Sequence, residues 1–217
     1  MLFHSRGTGY ESVRTRHPSI GTSARIAADE CAGAIAWTGG RLLPTLRRMT
    51  VEIAPFSTAD AAAHCAGEDD LTVRWLTGGY GDVEGTIEYF EWLANEAESG
   101  AGKRPFGVWM QGRLCGYIDY DPDNNDGIEP EDVILSYSVH PWARGQGVAA
   151  DAVRLVCDVL RERHVGRRAA IRVEPENSRS VRVAEKSGFT YIRDFASSTD
   201  KHADGSPVTL SLYLLDL

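Results

Sequence analysis

The chain has 217 residues, of which 42% are hydrophobic and 25% charged, and its formal net charge is −8. These proportions are ordinary for a globular protein, and the length accommodates one domain with a sizeable core. No uninterrupted apolar run approaches the roughly 20 residues that a membrane-spanning helix needs. We therefore expect no association with a membrane.

The cysteines indicate a reducing environment. They lie far apart in the sequence and form no C-x-x-C pair, which disfavours both a disulfide framework and a zinc site. We therefore expect a cytoplasmic protein that binds no metal. The four cysteines are Cys31, Cys65, Cys115 and Cys157.

Charge is distributed unevenly along the chain. Residues 1–48 contain seven arginines and three acidic residues, so they carry about +4, and the remaining residues carry about −12. An acidic domain disfavours a nucleic-acid groove, because phosphates need basic partners. It favours a cationic acceptor such as an amine-bearing molecule. Acidity that serves only solubility is the other interpretation.

The N-terminal segment, residues 1–48, shows no sustained hydrophobic periodicity and is rich in Arg, Ser, Thr and Gly. This composition predicts a flexible or weakly ordered extension. It also resembles that of an organelle transit peptide, but no amphipathic helix accompanies it. Met49 stands just before the first clear strand, so a simpler hypothesis makes it the natural start. The predicted domain is then residues 49–217.

In the first half of this domain, the sequence pattern predicts a strand, two helices and a hairpin. The acidic stretch at residues 121–132 is rich in turn formers and predicts an exposed loop. Its N-x-D-G run does not match a calcium loop, because Pro122 would hold the first ligand position. The predicted elements lie at residues 50–56, 57–65, 83–98, 106–110 and 114–120, with a loop at 67–81.

The second half is organised around one strand, a glycine-rich turn and one helix. Alternation over residues 132–139 predicts the strand, and Pro141 ends its pairing. Residues 144–149 read Arg-Gly-Gln-Gly-Val-Ala, after which apolar residues recur at helical spacing. The glycines and the free N–H groups of the helix start predict a phosphate or diphosphate site, to which Arg144 would add a positive charge, although an ordinary strand-to-helix turn explains them too. The remaining predicted elements lie at residues 169–174, 177–187, 189–195 and 208–215.

This turn resembles the acetyl-coenzyme A signature of the GCN5-related N-acetyltransferases (GNAT), [QR]-x-x-G-x-[GA], with Arg144, Gly147 and Ala149 at its defining positions. A second signature of the family, N-S-R-S-V-R-V-A-E-K-S-G-F, spans residues 177–189. The resemblance covers roughly residues 50–217 and is to the RimJ/RimL-like branch. It implies an α/β fold in which a mixed, mostly antiparallel sheet is splayed between its fourth and fifth strands and flanked by helices. It also implies acetyl-coenzyme A as a co-substrate.

The same resemblance implies which residues bind the coenzyme. In the family, the splayed fourth strand binds pantetheine, so the N–H of Val139 would meet the thioester carbonyl. Asn177 would cap its helix, contact pantetheine, or both. The full implied set is Tyr137, Ser138, Val139, Arg144, Gly145, Gln146, Gly147, Val148, Ala149, Asn177 and Ser180.

The chain departs from the family pattern at two catalytic positions. Ile134 occupies the position of the usual RimJ/RimL glutamate, so we rank Asp132 first and Asp119 second as the general base, with a water relay or no dedicated base as alternatives. Ala184 occupies the position of the family's tyrosine acid. Ser180, three residues after the motif asparagine, is the candidate acid, and a helix-start hydroxyl is its other interpretation.

We therefore expect an acetyl-coenzyme A-dependent N-acetyltransferase that acts on a primary amine of a cationic small molecule, such as an aminoglycoside-like compound. One alternative is a protein N-terminal acetyltransferase of the ribosomal-protein type. Another is a non-catalytic acyl-coenzyme A-binding module. Relatives commonly dimerise, so the resemblance also allows a homodimer.

Overall fold

The computed structural model describes residues 26–27 and 50–217. Within the segment that the sequence predicts to be an extension, Ile26–Ala27 forms a short strand, β1, which pairs antiparallel with β2, Val51–Pro55. The rest of that segment lies outside the described residues, and so does Met49, the hypothetical natural start. The boundary between extension and domain therefore stays a prediction.

The described strands form one eight-stranded sheet in the order β1-β2-β3-β4-β5-β6-β8-β7. Neighbouring strands are antiparallel except for β5 and β6, which are parallel because a helical crossover joins them. The mixed, mostly antiparallel sheet that the resemblance implies is confirmed. The remaining strands are β3 Arg104–Met110, β4 Arg113–Asp121, β5 Asp132–Val139, β6 Arg168–Val173, β7 Thr190–Lys201 and β8 Pro207–Asp216.

The helices lie on both faces of this sheet. Ile118 packs in the core cluster that contains the apolar face of the crossover helix, whereas the neighbouring Tyr117 contacts Phe56 and His64 beside the first helix. Successive residues of a strand point to opposite faces, so the two groups of helices cover opposite sides. The helices are α1 Ala61–Cys65, α2 Asp70–Thr72, α3 Val83–Ser99, α4 Val148–Arg163 and α5 Ser178–Lys186.

Two segments differ from the sequence expectation. The predicted loop at residues 67–81 contains α2 and a π-helical turn, Val73–Thr77, because the Asp69 carboxylate caps α2 by accepting from the N–H of Thr72 at 3.0 Å. The acidic loop at residues 121–132 is not wholly exposed. Asp126 is buried there and accepts hydrogen bonds from Arg172 and Ser197, which fasten the loop to the sheet.

Candidate active site

The parallel strands β5 and β6 separate partway along their length. Their pairing runs from Asp132 opposite Arg168 to Ile134 opposite Ala170 and continues no further. Beyond that point, β5 stays paired with β4 on its other side as far as Val139. Residues 136–139 are half-buried, in contrast to the buried residues 132–135. The splay that the resemblance implies between the fourth and fifth strands is therefore confirmed, as a gap between β5 and β6.

Backbone groups of β5 face this gap. The N–H of His140 donates to the carbonyl of Cys115 at 2.9 Å, so it points towards β4. Backbone groups alternate in direction along an antiparallel strand, so the N–H groups of Val139 and Tyr137 point away from β4, towards the gap. The N–H of Val139 thus has the direction that donation to a thioester carbonyl in the gap requires.

The glycine-rich turn and the start of α4 lie directly after this end of β5. Gly145 and Gly147 have φ of 77° and 85°, which side-chain-bearing residues rarely adopt. Gly147 is the N-cap and offers no side-chain acceptor, so the first N–H groups of α4 lack the usual cap. A Cβ built on Gly145 would meet no atom within 4 Å, which leaves open space beside these donors. The uncapped helix start and the open turn suit a diphosphate.

The Arg144 side chain does not offer a free charge to that site. Its Nη1 and Nη2 atoms donate to the two carboxylate oxygens of Asp69 at 2.6 and 2.8 Å, and its Nε donates to the carbonyl of Val139 at 2.8 Å. The same guanidinium holds the pKa of Asp69 below its usual range. This corrects the expectation that Arg144 adds a positive charge beside a bound phosphate, because Asp69 neutralises it. The side chain instead fixes the turn relative to β5 and the start of α2.

The other implied turn residues are placed differently from one another. Gln146 is exposed, and its Nε2 donates to the carbonyl of Trp142 at 3.0 Å. The side chain of Val148 is buried in the core, so this residue could contribute only its N–H to a ligand. Ala149 is half-buried in the first turn of α4. Their part in coenzyme binding stays a prediction.

Tyr137, Asn177 and Ser180 come together across the gap. The Tyr137 hydroxyl lies 2.8 Å from Ser180 Oγ, where either oxygen can donate, and 3.3 Å from the Ser180 carbonyl, a second acceptor for its single proton. Asn177 is the N-cap of α5, and its Oδ1 accepts from the N–H of Ser180 at 3.2 Å. Ser180 therefore bonds to Tyr137 through its side chain while Asn177 satisfies its backbone. The capping role predicted for Asn177 is confirmed.

Asp132 lies at the opposite, paired end of β5. It is buried, and its two oxygens accept from Nε and Nη2 of Arg168 at 2.6 and 2.8 Å. Its Oδ2 also accepts from the N–H of Glu129 at 3.0 Å. It lies seven positions before Val139, or roughly 23 Å away along an extended strand. This corrects its rank as first candidate base, because the carboxylate is committed to an ion pair far from the gap.

Asp119 is better placed than Asp132. It lies on β4 opposite Ser136, at the level where β5 and β6 have separated. Its side chain is fully buried, and burial raises the pKa of its carboxyl above the ordinary value of 3.8. Its Oδ2 accepts from the Tyr117 hydroxyl at 2.6 Å and lies 3.6 Å from the Lys103 ammonium, whereas its Oδ1 has no hydrogen-bond partner. The carboxylate thus keeps one oxygen able to accept a proton.

Tyr117 and Lys103 also belong to this cluster and were not predicted from the sequence. Tyr117 stands two residues before Asp119 on one strand, and residues at that spacing share a face. Tyr117 could therefore have been predicted as a neighbour of Asp119 from its position in the sequence. Lys103 lies just before β3, and only the pairing of β3 with β4 brings it to Asp119.

Among residues 50–217 and the short β1, no helix is long and apolar enough to span a membrane. Within that same part of the chain, no three His, Cys, Asp or Glu side chains lie close enough together to hold a metal ion.

Comparison with known proteins identifies a family. A profile described as "Acetyltransferase (GNAT) domain" matches residues 50–190. A search of curated proteins found no match.

Solved structures share the fold at low sequence identity. The Microcin C7 self immunity acetyltransferase MccE, in complex with acetyl-CoA and AMP, superposes with a TM-score of 0.65 at 11% identity, covering 77% of this chain and 92% of that one. Mycobacterium smegmatis RimJ, in complex with CoA-disulfide, gives 0.64 at 22% identity, covering 78% and 84%. The aminoglycoside acetyltransferase AAC(6')-Ib, in complex with coenzyme A, gives 0.59 at 18% identity, covering 74% and 93%. At these identities the likeness concerns the fold.

Proposed function

The chain belongs to the GNAT acetyltransferase family, and from this premise we propose that it transfers the acetyl group of acetyl-coenzyme A to a primary amine of a cationic small molecule. The observation that carries the proposal is the gap between β5 and β6, which opens directly beside the uncapped start of α4. A diphosphate at that helix start and an extended pantetheine along β5 would bring the thioester to the backbone of Val139. Bound acetyl-coenzyme A supplies the activated acetyl group.

The backbone of β5 provides the first catalytic interaction. The N–H of Val139 donates to the thioester oxygen as negative charge develops on it, and a donor that is already in place needs no reorganisation. The hydrogen bond from Arg144 to the Val139 carbonyl holds the adjoining Val139–His140 peptide in position. The Asp69 carboxylate holds Arg144 in turn, so an ion pair distant in sequence supports the oxyanion donor.

Asp119 is the proposed general base. A primary amine is mostly protonated at neutral pH and must lose a proton to attack. Asp119 accepts that proton through the hydroxyl of Tyr117, which hydrogen-bonds its Oδ2, or through a water. A carboxyl whose pKa is raised by burial is a stronger base than an exposed one, which suits this role.

Ser180 is the proposed acid at the opposite side of the gap. Asp119 faces the side of the sheet covered by α1 and α3, whereas Tyr137 reaches the opposite side and contacts Ser180 on α5. The amine would therefore approach from one face and the thiolate would leave towards the other. The Ser180 hydroxyl donates to the departing sulfur.

The acceptor's chemistry is proposed from charge. Residues 49–217 carry about −12 net, and a buried carboxylate lies beside the gap. A polycationic acceptor, such as an aminoglycoside-like amine, would be attracted by this field. AAC(6')-Ib, whose fold this chain shares, is an aminoglycoside acetyltransferase, whereas RimL is a ribosomal L7/L12 alpha-N-protein acetyltransferase. A protein N-terminus is therefore the second candidate acceptor.

The test is release of thiol from acetyl-coenzyme A across a panel of aminoglycosides, polyamines and N-terminal peptides. The proposal predicts turnover on polycationic small amines at a higher kcat/KM than on peptides. Turnover on peptides alone would overturn the small-molecule acceptor while leaving the acetyltransferase intact. Binding of coenzyme A without turnover on any amine in a wide panel would contradict the proposed reaction.

A further inference from the structure

We infer that Tyr137 is a positioning residue for Ser180: its phenol donates to Ser180 Oγ, directs the serine proton to the coenzyme sulfur and resupplies that proton. This inference rests on the proposed function, because it assigns the sulfur of coenzyme A to the gap beside Val139. In this chain the second signature of the family contains the serine but lacks the family's tyrosine, because Ala184 occupies that position. The tyrosine comes from β5 instead.

The geometry that carries the inference is a contact between two elements on opposite sides of the gap. Tyr137 lies on β5, whose backbone faces the gap, and Ser180 lies in the first turn of α5, 43 residues later. Their hydroxyl oxygens are 2.8 Å apart, a normal distance for an O–H···O hydrogen bond. Both side chains are half-buried, so the pair adjoins the gap without being wholly exposed to water.

The surroundings fix the serine but leave its proton available. Asn177 accepts from the N–H of Ser180, which holds this turn of α5 in place. When Tyr137 donates to Ser180 Oγ, the serine proton is free to point into the gap. Burial raises the pKa of Tyr137 to about 12, so the phenol keeps its proton at neutral pH. Tyr137 therefore donates to Ser180, and Ser180 donates to the sulfur.

The proton balance of the step is complete. The Ser180 O–H bond breaks and an S–H bond forms on the departing thiolate. The Tyr137 O–H bond breaks and a new O–H bond forms on Ser180, so the negative charge moves to the phenol oxygen. A phenolate bears this charge better than a serine alkoxide does. It then takes a proton from water, which restores both side chains.

The opposite arrangement of the two protons makes a different prediction. If Ser180 donates to Tyr137 and the phenol donates to the Ser180 carbonyl at 3.3 Å, the serine has no proton free for sulfur. Removal of the phenol would then release the serine proton and would strengthen its donation to sulfur.

The experiment is a titration of the coenzyme A thiol in its complex with the full chain. Thiolate absorbance is followed in the ultraviolet, and the complex with desulfo-coenzyme A serves as the blank. Hydrogen bonds to a thiolate favour it, so the bound thiol should have a pKa about one unit lower in the wild type than in Tyr137→Phe or Ser180→Ala. The double variant should match the single ones, because the two hydroxyls act in series.

Matched controls keep the test specific. Tyr213→Phe removes a buried phenol from β8, and Ser178→Ala removes an exposed hydroxyl from the start of α5. Both should leave the thiol pKa at the wild-type value. Calorimetry with coenzyme A on every variant verifies that the complex forms.

The outcomes separate this inference from the proposed function. Equal thiol pKa values in the wild type and Tyr137→Phe, with coenzyme A bound to both, would overturn the inference alone, as would a lower value in Tyr137→Phe. A wild-type protein that takes up no coenzyme A would overturn the proposed function and the inference with it. With an acceptor from the amine panel, Tyr137→Phe should lower kcat about tenfold and leave the KM for acetyl-coenzyme A unchanged. A raised KM at unchanged kcat would assign the tyrosine to binding instead.

Discussion

The two ends of β5 belong to one strand but differ in pairing, burial and the use of their polar groups. At the end that pairs with β6, Asp132 is buried and both of its oxygens bind Arg168. At the end that separates from β6, residues 136–139 are half-buried, and the N–H of Val139 faces a gap. Completed pairing stabilises a fold, whereas open donors bind ligands. The strand therefore contributes stability at its start and, we propose, catalysis at its end.

The largest expected effect is at the separated end. Asp119→Asn should lower kcat/KM for the amine by about 10²- to 10⁴-fold, the usual contribution of a general base. Because the pKa of Asp119 is raised by burial, the wild-type rate should fall as the pH drops through that raised value, and the variant should lack this fall. Steady-state kinetics over a range of pH checks both effects. Asp121→Asn, on the same strand, is the control, and an unchanged profile in Asp119→Asn would remove Asp119 as the base.

The next effect concerns the turn that follows β5. Gly145→Asp places a carboxylate beside the uncapped N–H groups of α4 and should weaken acetyl-coenzyme A binding about 100-fold, or about 2.7 kcal/mol. Gly205→Asp is the matched control, because Gly205 has a similar φ of 84° and equally open space around its Cβ position. Calorimetry measures both affinities. Equal affinities in the two variants would show that the diphosphate does not bind at this turn.

A substitution at the paired end of β5 should lower the stability of the fold and leave the rate of acetyl transfer unchanged. Asp132→Asn leaves Arg168 without its partner and should lower the free energy of unfolding by about 3 kcal/mol, at the low end for a buried pair because Arg168 is partly exposed. The kcat of the folded variant should stay at the wild-type value. Urea denaturation and acetyl transfer measure the two quantities. Asp158→Asn breaks an exposed pair with Arg161 and should change neither. Loss of activity in a stable Asp132→Asn protein would restore Asp132 as the base.

The smallest expected effect lies in the acidic loop over the sheet. Hydrogen bonds from Ser197, Ser198 and Arg172 outweigh burial and lower the pKa of Asp126 to about 2. A carboxyl with a lowered pKa stabilises the fold above the unfolded value of 3.8, and this contribution is lost as the pH falls towards 2. The contribution is about 2 kcal/mol, at 1.36 kcal/mol for each pKa unit.

The measurement is the free energy of unfolding at neutral and acidic pH. Asp126→Asn should remove this part of the acid sensitivity. Asp204→Asn, in the exposed β7–β8 hairpin, should retain it. A wild-type stability that does not fall more steeply with acid than that of Asp126→Asn would contradict the anchoring role of Asp126.

The secondary structure could largely be predicted from local sequence patterns. The side-chain pairs of the site could not, because their members lie far apart in the sequence. Strand alternation, helical periodicity and the glycine turn are properties of neighbouring residues, so the element order and the start of α4 could be predicted from the sequence. The partners of the site residues lie far away in sequence. Arg144 binds Asp69 across 75 residues, and Asp132 binds Arg168 across 36. From the sequence alone we predicted a free charge at Arg144 and a general base at Asp132. Neither prediction could include the ion-pair partner, because no neighbouring residue indicates it.

The central claim is that coenzyme A binds along the separated end of β5 and at the start of α4. Hydrogen–deuterium exchange of the full chain, with and without saturating coenzyme A, tests it most directly. We expect slower exchange at residues 136–150 and 177–180, and unchanged exchange at the paired end, residues 129–134 and 167–170. Protection at the paired end alone, with residues 136–150 exchanging as fast as in the free protein, would contradict the account.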